Sequence, residues 1–299
     1  MSETGFRSGF ITLIGRPNVG KSTLFNAILG QKVAIMSDKP QTTRNSIRGI
    51  YNAPGVQMIF IDTPGVHKPK HKLNQKMMES VYKSLAGCDI ILYLIDAGQK
   101  FGDGEEFILK HLVDQSAPVF LIINKVDVVG RKEQVLTLIN KYKDRFDFAE
   151  IVPVAALTGY NVDHLLKTLQ EYLPPGPQYY PSEMVYDQPE QLLIAELIRE
   201  QILHQTKEEI PYAVAVNVTD IEERSDDLLY IEANIYVERE SQKGIIIGKG
   251  GQLIKKIGQS ARLEIERILA CSVYLELRVK TKKDWRNNEG LLRNWQLTD

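Results

Sequence analysis

The sequence predicts two domains of different class: an open, mostly parallel α/β sheet with helices on both faces, then a smaller α+β domain. Apolar runs such as 89–96 and 119–124, rich in Ile, Leu and Val, alternate with helical stretches in the first part. Strands buried on both faces of a parallel sheet have this composition. A proline-rich segment at 173–181 separates this part from a different order of elements behind it.

The composition of the 299 residues is that of a globular protein, with 43% apolar and 25% charged residues. The net charge of −1 indicates no particular partner. The two cysteines, Cys88 and Cys271, make neither a disulfide framework nor a metal cluster, which fits a reducing cytoplasm. No signal segment is recognisable, and the apolar runs are far shorter than the ~20 residues of a membrane span. We therefore expect a cytoplasmic protein whose membrane contact is at most peripheral.

A phosphate-binding loop joins the first predicted strand, 10–14, to the first predicted helix, 22–29. The loop fits the pattern G-x-x-x-x-G-K-[ST] in the strand–loop–helix context that this pattern requires. Its N–H groups would surround an anion, Lys21 would bind the β and γ phosphates, and the Ser22 hydroxyl would bind Mg²⁺. The residues that we predict to bind the nucleotide here are Gly15, Arg16, Pro17, Asn18, Val19, Gly20, Lys21, Ser22 and Thr23.

A polar loop at 31–48, with Pro40 near its centre, has the composition of a mobile segment. A nucleotide switch needs a loop threonine that reaches Mg²⁺ and the γ-phosphate only while that phosphate is present. Thr42 and Thr43 are both candidates, and the sequence does not choose between them; we place Thr42 in the metal and catalytic sets. The predicted first switch segment is Gln41, Thr42, Thr43, Arg44 and Asn45.

A predicted hairpin, 46–51 and 56–61, ends in an acidic residue followed by x-x-Gly. Asp62 would hold Mg²⁺ through water or Ser22, and the Gly65 N–H would bind the γ-phosphate. We assign Asp62, Thr63, Pro64 and Gly65 to nucleotide binding, and Ser22, Thr42 and Asp62 to the metal. The following loop, 66–73, is predicted to be a second switch with a basic surface, because it contains His67, Lys68, Lys70, His71 and Lys72.

The strand at 119–124 runs into N-K-x-D, at the edge of the sheet where a base would lie. Asp127 can accept hydrogen bonds from N1 and N2 of guanine, whereas adenine would leave this carboxylate unpaired, at a cost of about 1–3 kcal/mol. Lys125 would lie along the base, and Asn124 would tie this loop to the phosphate loop. The last strand, 151–154, is followed by Ala155 and Ala156, where guanine O6 needs a backbone donor.

The segments GRPNVGKS, QTTRN, DTPG and NKVD, in this order, resemble the translation-factor-related small GTPases. The family's usual Ser-Ala is Ala155-Ala156 here; Ala156 keeps the family's backbone donor, and the missing hydroxyl is expected to weaken nucleotide binding slightly. Val66 stands where Ras-like enzymes have the Gln that orients the attacking water. Relatives with a hydrophobic residue there often carry an Asn like Asn18, which in some of them helps to bind K⁺. The resemblance implies slow hydrolysis, aided by Asn18 with K⁺ or by a partner, and a catalytic set of Asn18, Lys21, Thr42 and Gly65.

Four prolines and a glycine in residues 173–181 predict a semi-rigid linker. The predicted domains are 1–173 and 183–299, joined by the linker 174–182. The second domain reads helix, strand, strand, short helix, G-x-x-G loop, helix, strand, with a C-terminal helix. This order and loop resemble a type II KH domain, whose glycines let the backbone approach single-stranded RNA.

Local charge supports an RNA surface in the second domain. Residues 183–240 contain fifteen Asp/Glu and four Lys/Arg, whereas residues 241–286 contain four and eleven. This asymmetry places a basic face where the G-x-x-G loop lies. The predicted RNA-binding residues are Gly248, Lys249, Gly250, Gly251, Lys255, Lys256 and Arg262.

A GTPase domain followed by a type II KH domain resembles the Era-type family of bacterial GTPases over nearly the whole chain. The resemblance implies a monomeric ribosome-assembly factor that binds GTP or GDP together with Mg²⁺. Binding of K⁺ as a further cofactor stays open. The resemblance also implies binding near the 3′ end of 16S rRNA in the 30S subunit and peripheral association with the inner membrane. Two alternatives stay open: an RNA-binding scaffold that does not turn its nucleotide over, and a GTPase whose C-terminal module binds protein.

Overall fold

The structure is a computed structural model that describes residues 5–66, 69, 71–129, 132–225 and 227–297. By its internal contacts the chain divides into two compact units. The first unit consists of Met1–Ala34, Thr43–Pro69 and Lys76–Asp187, and the second of Ile35–Thr42, Lys70–Gln75 and Gln188–Asp299. Two short segments of the predicted switch loops, 35–42 and 70–75, therefore belong to the second unit.

The first unit is built on a six-stranded sheet. The strands are β1 (Arg7–Gly15), β2 (Ile47–Ala53), β3 (Val56–Asp62), β4 (Ile90–Asp96), β5 (Val119–Asn124) and β6 (Glu150–Pro153). Their order is β2-β3-β1-β4-β5-β6; β2 is antiparallel to β3, and all other pairs are parallel. The predicted mostly parallel α/β class is confirmed.

Five helices accompany this sheet: α1 (Lys21–Leu29), α2 (Lys72–Leu85), α3 (Asp103–Leu112), α4 (Lys132–Lys143) and α5 (Val162–Tyr172). One apolar cluster joins the sheet to α1 and α5, and a second joins it to α2, α3 and α4. The strands β3 and β5 are buried along their whole length because helices cover both faces. The loops that follow β1, β3, β4, β5 and β6 therefore meet at one edge, as open α/β sheets require for a ligand site.

The predicted linker is hydrogen-bonded to the first unit. Pro175 pairs with Arg7 in a β-bridge, and the Gln57 carboxamide accepts from the backbone N–H groups of Tyr179 and Tyr180. The pairing continues to residue 187, whose N–H donates to the Arg48 carbonyl at 3.1 Å. The contact boundary consequently lies at 187–188, five residues later than the predicted start at 183; the predicted boundary itself stays a prediction.

The second unit contains a three-stranded sheet with helices, which confirms its α+β class. Its elements are α6 (Glu190–Gln205), α7 (Ile210–Ala213), β7 (Ala215–Ser225), β8 (Leu228–Val237), α8 (Glu240–Ile247), α9 (Gln252–Leu269), β9 (Ser272–Thr281) and α10 (Glu289–Asn294). The sheet order is β7-β8-β9; β7 is antiparallel to β8, and β8 is parallel to β9.

Two expectations in this unit need correction. The alternating pattern at 211–219 predicts the first strand of this domain, but the strand begins at Ala215, because Pro211 occupies the first turn of the short helix α7. The predicted C-terminal helix is a 3₁₀ turn at Trp285–Asn287 followed by the six-residue α10. Trp285 is fully buried, and its indole N–H donates to the Ala213 carbonyl at 3.0 Å. Among the described residues no helix has the length and apolarity of a membrane span.

Candidate functional site

The loop between β1 and α1 has the backbone of a phosphate cradle. Asn18 and Gly20 have φ angles of 64° and 95°. A Cβ at Gly20 would lie 2.2 Å from Nδ2 of Asn124, and one at Gly15 would lie 2.5 Å from the Leu94 carbonyl oxygen. Neither glycine can therefore carry a side chain, and the loop closes tightly onto the ends of β4 and β5.

The Lys21 ammonium lies inside this loop. Its Nζ donates to the carbonyl oxygens of Gly15 and Arg16 at 3.3 and 3.2 Å. Burial lowers the pKa of Lys21 to about 8, although the Asp62 carboxylate opposes the shift. Burying an ammonium is costly unless an anion pairs with it. The position of Lys21 therefore suits a loop that binds an anion such as a polyphosphate.

Asp62, at the end of β3, is fully buried and meets two hydroxyls. Ser22 Oγ donates to Asp62 Oδ2 at 2.6 Å and lies 2.9 Å from Thr43 Oγ1, which is itself 3.3 Å from the same carboxylate oxygen. Burial raises the pKa of Asp62, while Lys21, Ser22 and Thr43 counteract it. The other oxygen, Oδ1, is buried without a hydrogen-bond partner in the described part of the chain. Two hydroxyls and an unpaired carboxylate oxygen are the hard ligands that suit Mg²⁺.

The structure corrects one assignment in this group. The threonine beside Ser22 and Asp62 is Thr43, whereas the Thr42 hydroxyl donates to the Lys39 carbonyl at 2.6 Å. The two hydroxyls therefore have different partners, and of the two only Thr43 faces the metal group. The placement of Thr42 in the metal and catalytic sets is therefore wrong in this structure.

The segment after Asp62 packs directly on the phosphate loop. The Val66 N–H donates to the Gly15 carbonyl at 3.0 Å, and a Cβ on Gly65 would lie 2.8 Å from the Pro17 backbone. The Thr63 hydroxyl donates to the Leu13 carbonyl of β1, so it orients the segment rather than facing solvent. Val66 is buried. His67, Lys68 and Lys70, predicted to form part of a basic switch surface, lie outside the described residues.

Asn124 connects three loops at the base side of the site. Its Nδ2 donates to the Val19 carbonyl at 2.9 Å, and its Oδ1 accepts from the Ala156 N–H at 3.0 Å. The Ala155 N–H donates to the Tyr160 carbonyl. The backbone N–H groups of Ala155 and Ala156, where the sequence predicts the donor to guanine O6, are thus both hydrogen-bonded within the protein. The contact to guanine O6 stays a prediction. The Asp127 side chain is exposed and lines a groove of about 760 Å³.

Two acidic residues that sequence reasoning missed form ion pairs with predicted nucleotide-binding residues. Asp96, at the end of β4, accepts from Lys125 Nζ at 2.8 Å, and the same ammonium donates to the Asn18 carbonyl at 2.7 Å. Glu105, buried on α3, accepts from the Arg16 guanidinium at 2.9 Å. The position of Asp96 at a strand end next to N-K-x-D was a usable signal. Glu105 gave none, because its pairing is purely tertiary.

The remaining predicted residues of this site lie in the same loops. Pro17 and Val19 form the phosphate loop, and Thr23 is half-buried in the first turn of α1. Within the predicted first switch, Arg44 is buried, Asn45 is half-buried, and Gln41 has a φ of 63°.

The G-x-x-G loop lies between α8 and α9 and is an exposed surface. Gly248, Gly250 and Gly251 all have positive φ, and a Cβ on Gly248 would lie 2.8 Å from Leu253. The predicted basic residues Lys249, Lys255, Lys256 and Arg262 are exposed. Lys255 and Arg262 line a groove of about 360 Å³ whose wall includes Ile254, Leu275 and the exposed ring of Tyr274. No pattern in the sequence singled out Tyr274, although aromatic rings stack on unpaired bases.

Both halves of the chain match known families. Residues 10–125 match a family described as 50S ribosome-binding GTPase, and residues 209–286 match the KH domain family. Among solved structures, the chain is similar to Era in complex with MgGDPNP and nucleotides 1506–1542 of 16S ribosomal RNA, at 42% identity and a TM-score of 0.95. It is equally similar to a point mutant of Aquifex aeolicus Era bound to GDP·AlF₄⁻, at 42% identity and a TM-score of 0.95. Each similarity covers 98% of this chain and 100% of the other.

Proposed function

This chain belongs to the Era family of GTPases, and from that premise we propose that it binds 16S rRNA near its 3′ end and acts in assembly of the 30S ribosomal subunit. It binds GTP with Mg²⁺ and hydrolyses GTP to GDP and phosphate. The observation that carries the proposal is one chain that contains both a closed phosphate loop with Lys21 and an exposed G-x-x-G loop with Lys249.

The residues of the first unit divide the work on GTP. The N–H groups of the phosphate loop and the Lys21 ammonium bind the β and γ phosphates. Asn124 fixes the loop that presents Asp127 to the base, and Asp96 keeps Lys125 in place. Ser22, Thr43 and Asp62 would hold Mg²⁺, which neutralises charge on the phosphates when it is bound.

Hydrolysis is proposed to be slow in the absence of an activator. Val66 is apolar and buried, so it cannot orient the attacking water as a glutamine would. The Asn18 position in the cradle supports the proposal that K⁺ supplies positive charge there. We expect Asn18→Ala to lower the rate of phosphate release in K⁺ and to leave it unchanged in Na⁺. An equal rate for wild type and variant in both salts would contradict the K⁺ proposal. An activating partner would then be the remaining explanation for faster hydrolysis.

The RNA part of the proposal is supported by the geometry of the second unit. Positive-φ glycines let the backbone approach a sugar-phosphate chain, Lys255 and Arg262 line the groove, and Tyr274 offers a ring for stacking. The test is crosslinking of the intact chain to RNA with GTP present, followed by sequencing. Reads concentrated near the 3′ end of 16S rRNA are expected; reads spread over unrelated RNAs would contradict the assignment.

The proposal includes a monomer in the cytoplasm with peripheral contact to the inner membrane. This part rests on the family resemblance alone. Fractionation of cells tests it: the protein is expected in the soluble fraction, with a salt-removable share on membranes.

A further inference from the structure

Helix α3 of the first unit carries a buried carboxylate in its first turn. Glu105 is 3% exposed, and Ile108 and Leu109 on the same helix are buried with it. The phenol of Tyr142 is close by: burial raises the pKa of this phenol, and the charge of Glu105 adds to the rise. A buried carboxylate is strongly destabilising unless it is paired and hydrogen-bonded. Its partners therefore indicate what Glu105 does.

Each oxygen of the Glu105 carboxylate has its own partner. Oε2 accepts from the Gly102 N–H at 2.9 Å, which fastens the side chain to the start of its own helix. Oε1 accepts from Nη1 of Arg16 at 2.9 Å. Because the carboxylate is almost completely shielded from water, loss of the arginine would leave it buried without a counter-ion.

Gly104 allows the Arg16 side chain to lie directly against α3. A Cβ at this position would lie 2.8 Å from Arg16 Nε and 2.9 Å from Arg16 Cδ, closer than nonbonded atoms pack. The helix thus fixes one side chain in two ways: Glu105 binds its guanidinium, and Gly104 leaves just enough room for its stem. An alanine at 104 would have to displace the arginine.

Arg16 is the second residue of the phosphate loop, and its backbone belongs to the nucleotide site. Its carbonyl accepts from Lys21 Nζ at 3.2 Å. Because a peptide unit is planar, an anchored Arg16 has fewer orientations available for this carbonyl and for the N–H that follows it. The anchor on α3 therefore restricts the shape of the loop whose N–H groups surround a phosphate.

The same connection between β4 and α3 also fastens the other side of the loop. Asp96, at the end of β4, accepts from Lys125 Nζ at 2.8 Å, and this ammonium donates to the Asn18 carbonyl at 2.7 Å. Residues 96–105 thus hold the stretch 16–18 at both of its ends, each time through a carboxylate. A loop that is already ordered loses less conformational entropy when it binds a ligand.

We propose that Glu105 is a positioning residue for nucleotide binding: it holds the Arg16 side chain on α3, so that the phosphate loop has the shape that a β-phosphate requires before the nucleotide arrives. The inference rests on GTP binding by the first unit and deepens it. The residues that carry it, from Arg16 to Glu105, all belong to that unit, and the role does not depend on RNA.

The test compares the affinity of the intact chain, with Mg²⁺ present, for GDP and for GMP, each in competition with a labelled GDP. The phosphate loop binds the β-phosphate, which GMP lacks, whereas both nucleotides carry the guanine base. Glu105→Gln keeps the volume of the side chain and removes its charge. We expect about tenfold lower affinity for GDP, near the upper cost of ordering one long side chain on binding, and affinity for GMP within about twofold.

Gly104→Ala is the second variant, because alanine favours a helix more than glycine does and every charge stays in place. The displaced arginine is expected to lower the affinity for GDP by about fivefold and to leave that for GMP within about twofold. In steady-state hydrolysis both variants are expected to raise KM for GTP and to keep kcat within about twofold. This split is typical of lost binding that ground state and transition state share.

Glu106→Gln is the matched control. Glu106 is the next residue on α3 and is also paired with a cation, Lys110 at 3.4 Å, but both side chains are exposed. It is expected to leave both affinities unchanged. A double variant tests the route: once Arg16→Ala has removed the guanidinium, adding Glu105→Gln is expected to change the affinity for GDP by less than about twofold.

Equal losses for GDP and GMP, or no loss for GDP, would overturn the proposal. A further loss of about tenfold from Glu105→Gln in the Arg16→Ala background would also overturn it, because Glu105 would then act by another route. A wild-type chain that binds GDP no more tightly than GMP would contradict the phosphate loop itself, and the role of Glu105 with it. Since RNA is absent from these titrations, failure of the proposed 16S rRNA function would leave the role of Glu105 intact.

Discussion

The nucleotide site and the G-x-x-G surface use opposite physical strategies. In the first, the side chains at the phosphate loop and the metal group are buried and hydrogen-bonded within the protein: Lys21 is 6% exposed, Asn124 1% and Asp62 not at all, although Asp127 at the base side is exposed. In the second, the lysines of the loop and of α9 are exposed. A buried polar site discriminates because a wrong ligand leaves groups unpaired, whereas an exposed basic surface attracts any phosphate chain and depends on salt. Substitutions should separate these strategies.

The largest expected effect is on hydrolysis, from Lys21→Ala. The variant removes the ammonium that is bonded to the Gly15 and Arg16 carbonyls inside the phosphate loop, and loss of one preorganised charge at a reacting group costs about 10²–10³-fold in rate. Release of phosphate from GTP measures it. Lys255→Ala, at an exposed lysine of the other region, is the control and should keep the full rate. A Lys21→Ala rate within tenfold of wild type would contradict the account.

Asp127→Asn should come next, with an effect on specificity. The amide cannot accept from both N1 and N2 of guanine, so affinity for GDP is expected to fall by about 10–100-fold, the cost of one or two unpaired groups. Affinity for ADP should stay as weak as in the wild type. Competition titrations of the two nucleotides measure this, and Asp163→Asn on the exposed start of α5 is the control. Unchanged preference for GDP would show that the base is read elsewhere.

Breaking the exposed surface should have a different signature. Replacement of Lys249 and Gly250 by Asp is expected to lower the affinity for single-stranded RNA by tenfold or more and to abolish crosslinking, while GTP hydrolysis continues. The slope of log K against log salt should become shallower by about one, because one phosphate contact is lost. Filter binding at several salt concentrations tests this. An unchanged slope and affinity would favour a module that binds protein.

The smallest effect concerns pH. The pKa of Lys21 is about 8 without nucleotide, and phosphates will raise it. Below pH 8 the ammonium is already charged, so affinity is flat; above pH 8 binding must take up a proton, so affinity falls. Between pH 7 and 8.5 the loss is about fourfold by linkage. Calorimetry of GDP binding in buffers of different ionisation enthalpy measures the proton uptake, and zero uptake at pH 8.5 would contradict it.

The sequence predicted the nucleotide site well where the chemistry forces a contiguous pattern. The glycines of the phosphate loop, Lys21 and the D-x-x-G and N-K-x-D segments follow directly from what a phosphate, a metal and a guanine need. The class of both units followed from periodicity and from the proline-rich boundary. Each of these signals lies within a few neighbouring residues.

The missed features depend on contacts between distant parts of the chain. Thr42 and Thr43 are chemically equivalent in sequence, and which of them faces Asp62 depends on what holds the backbone before them. Glu105 pairs with Arg16, which is 89 residues away in the sequence. The membership of 35–42 in the second unit is likewise a property of packing, which no local pattern encodes.

From the two activities, nucleotide binding by the first unit and RNA binding by the second, we propose as the central claim that the γ-phosphate governs how firmly the second unit binds unpaired RNA. The direct measurement is the affinity of the intact chain for a single-stranded RNA copy of the 3′ end of 16S rRNA. It is taken at one salt concentration, with GDP and then with a non-hydrolysable GTP analogue. The account predicts affinities that differ by about fivefold or more, the lower range of couplings between sites. Equal affinities in the two nucleotide states would contradict it.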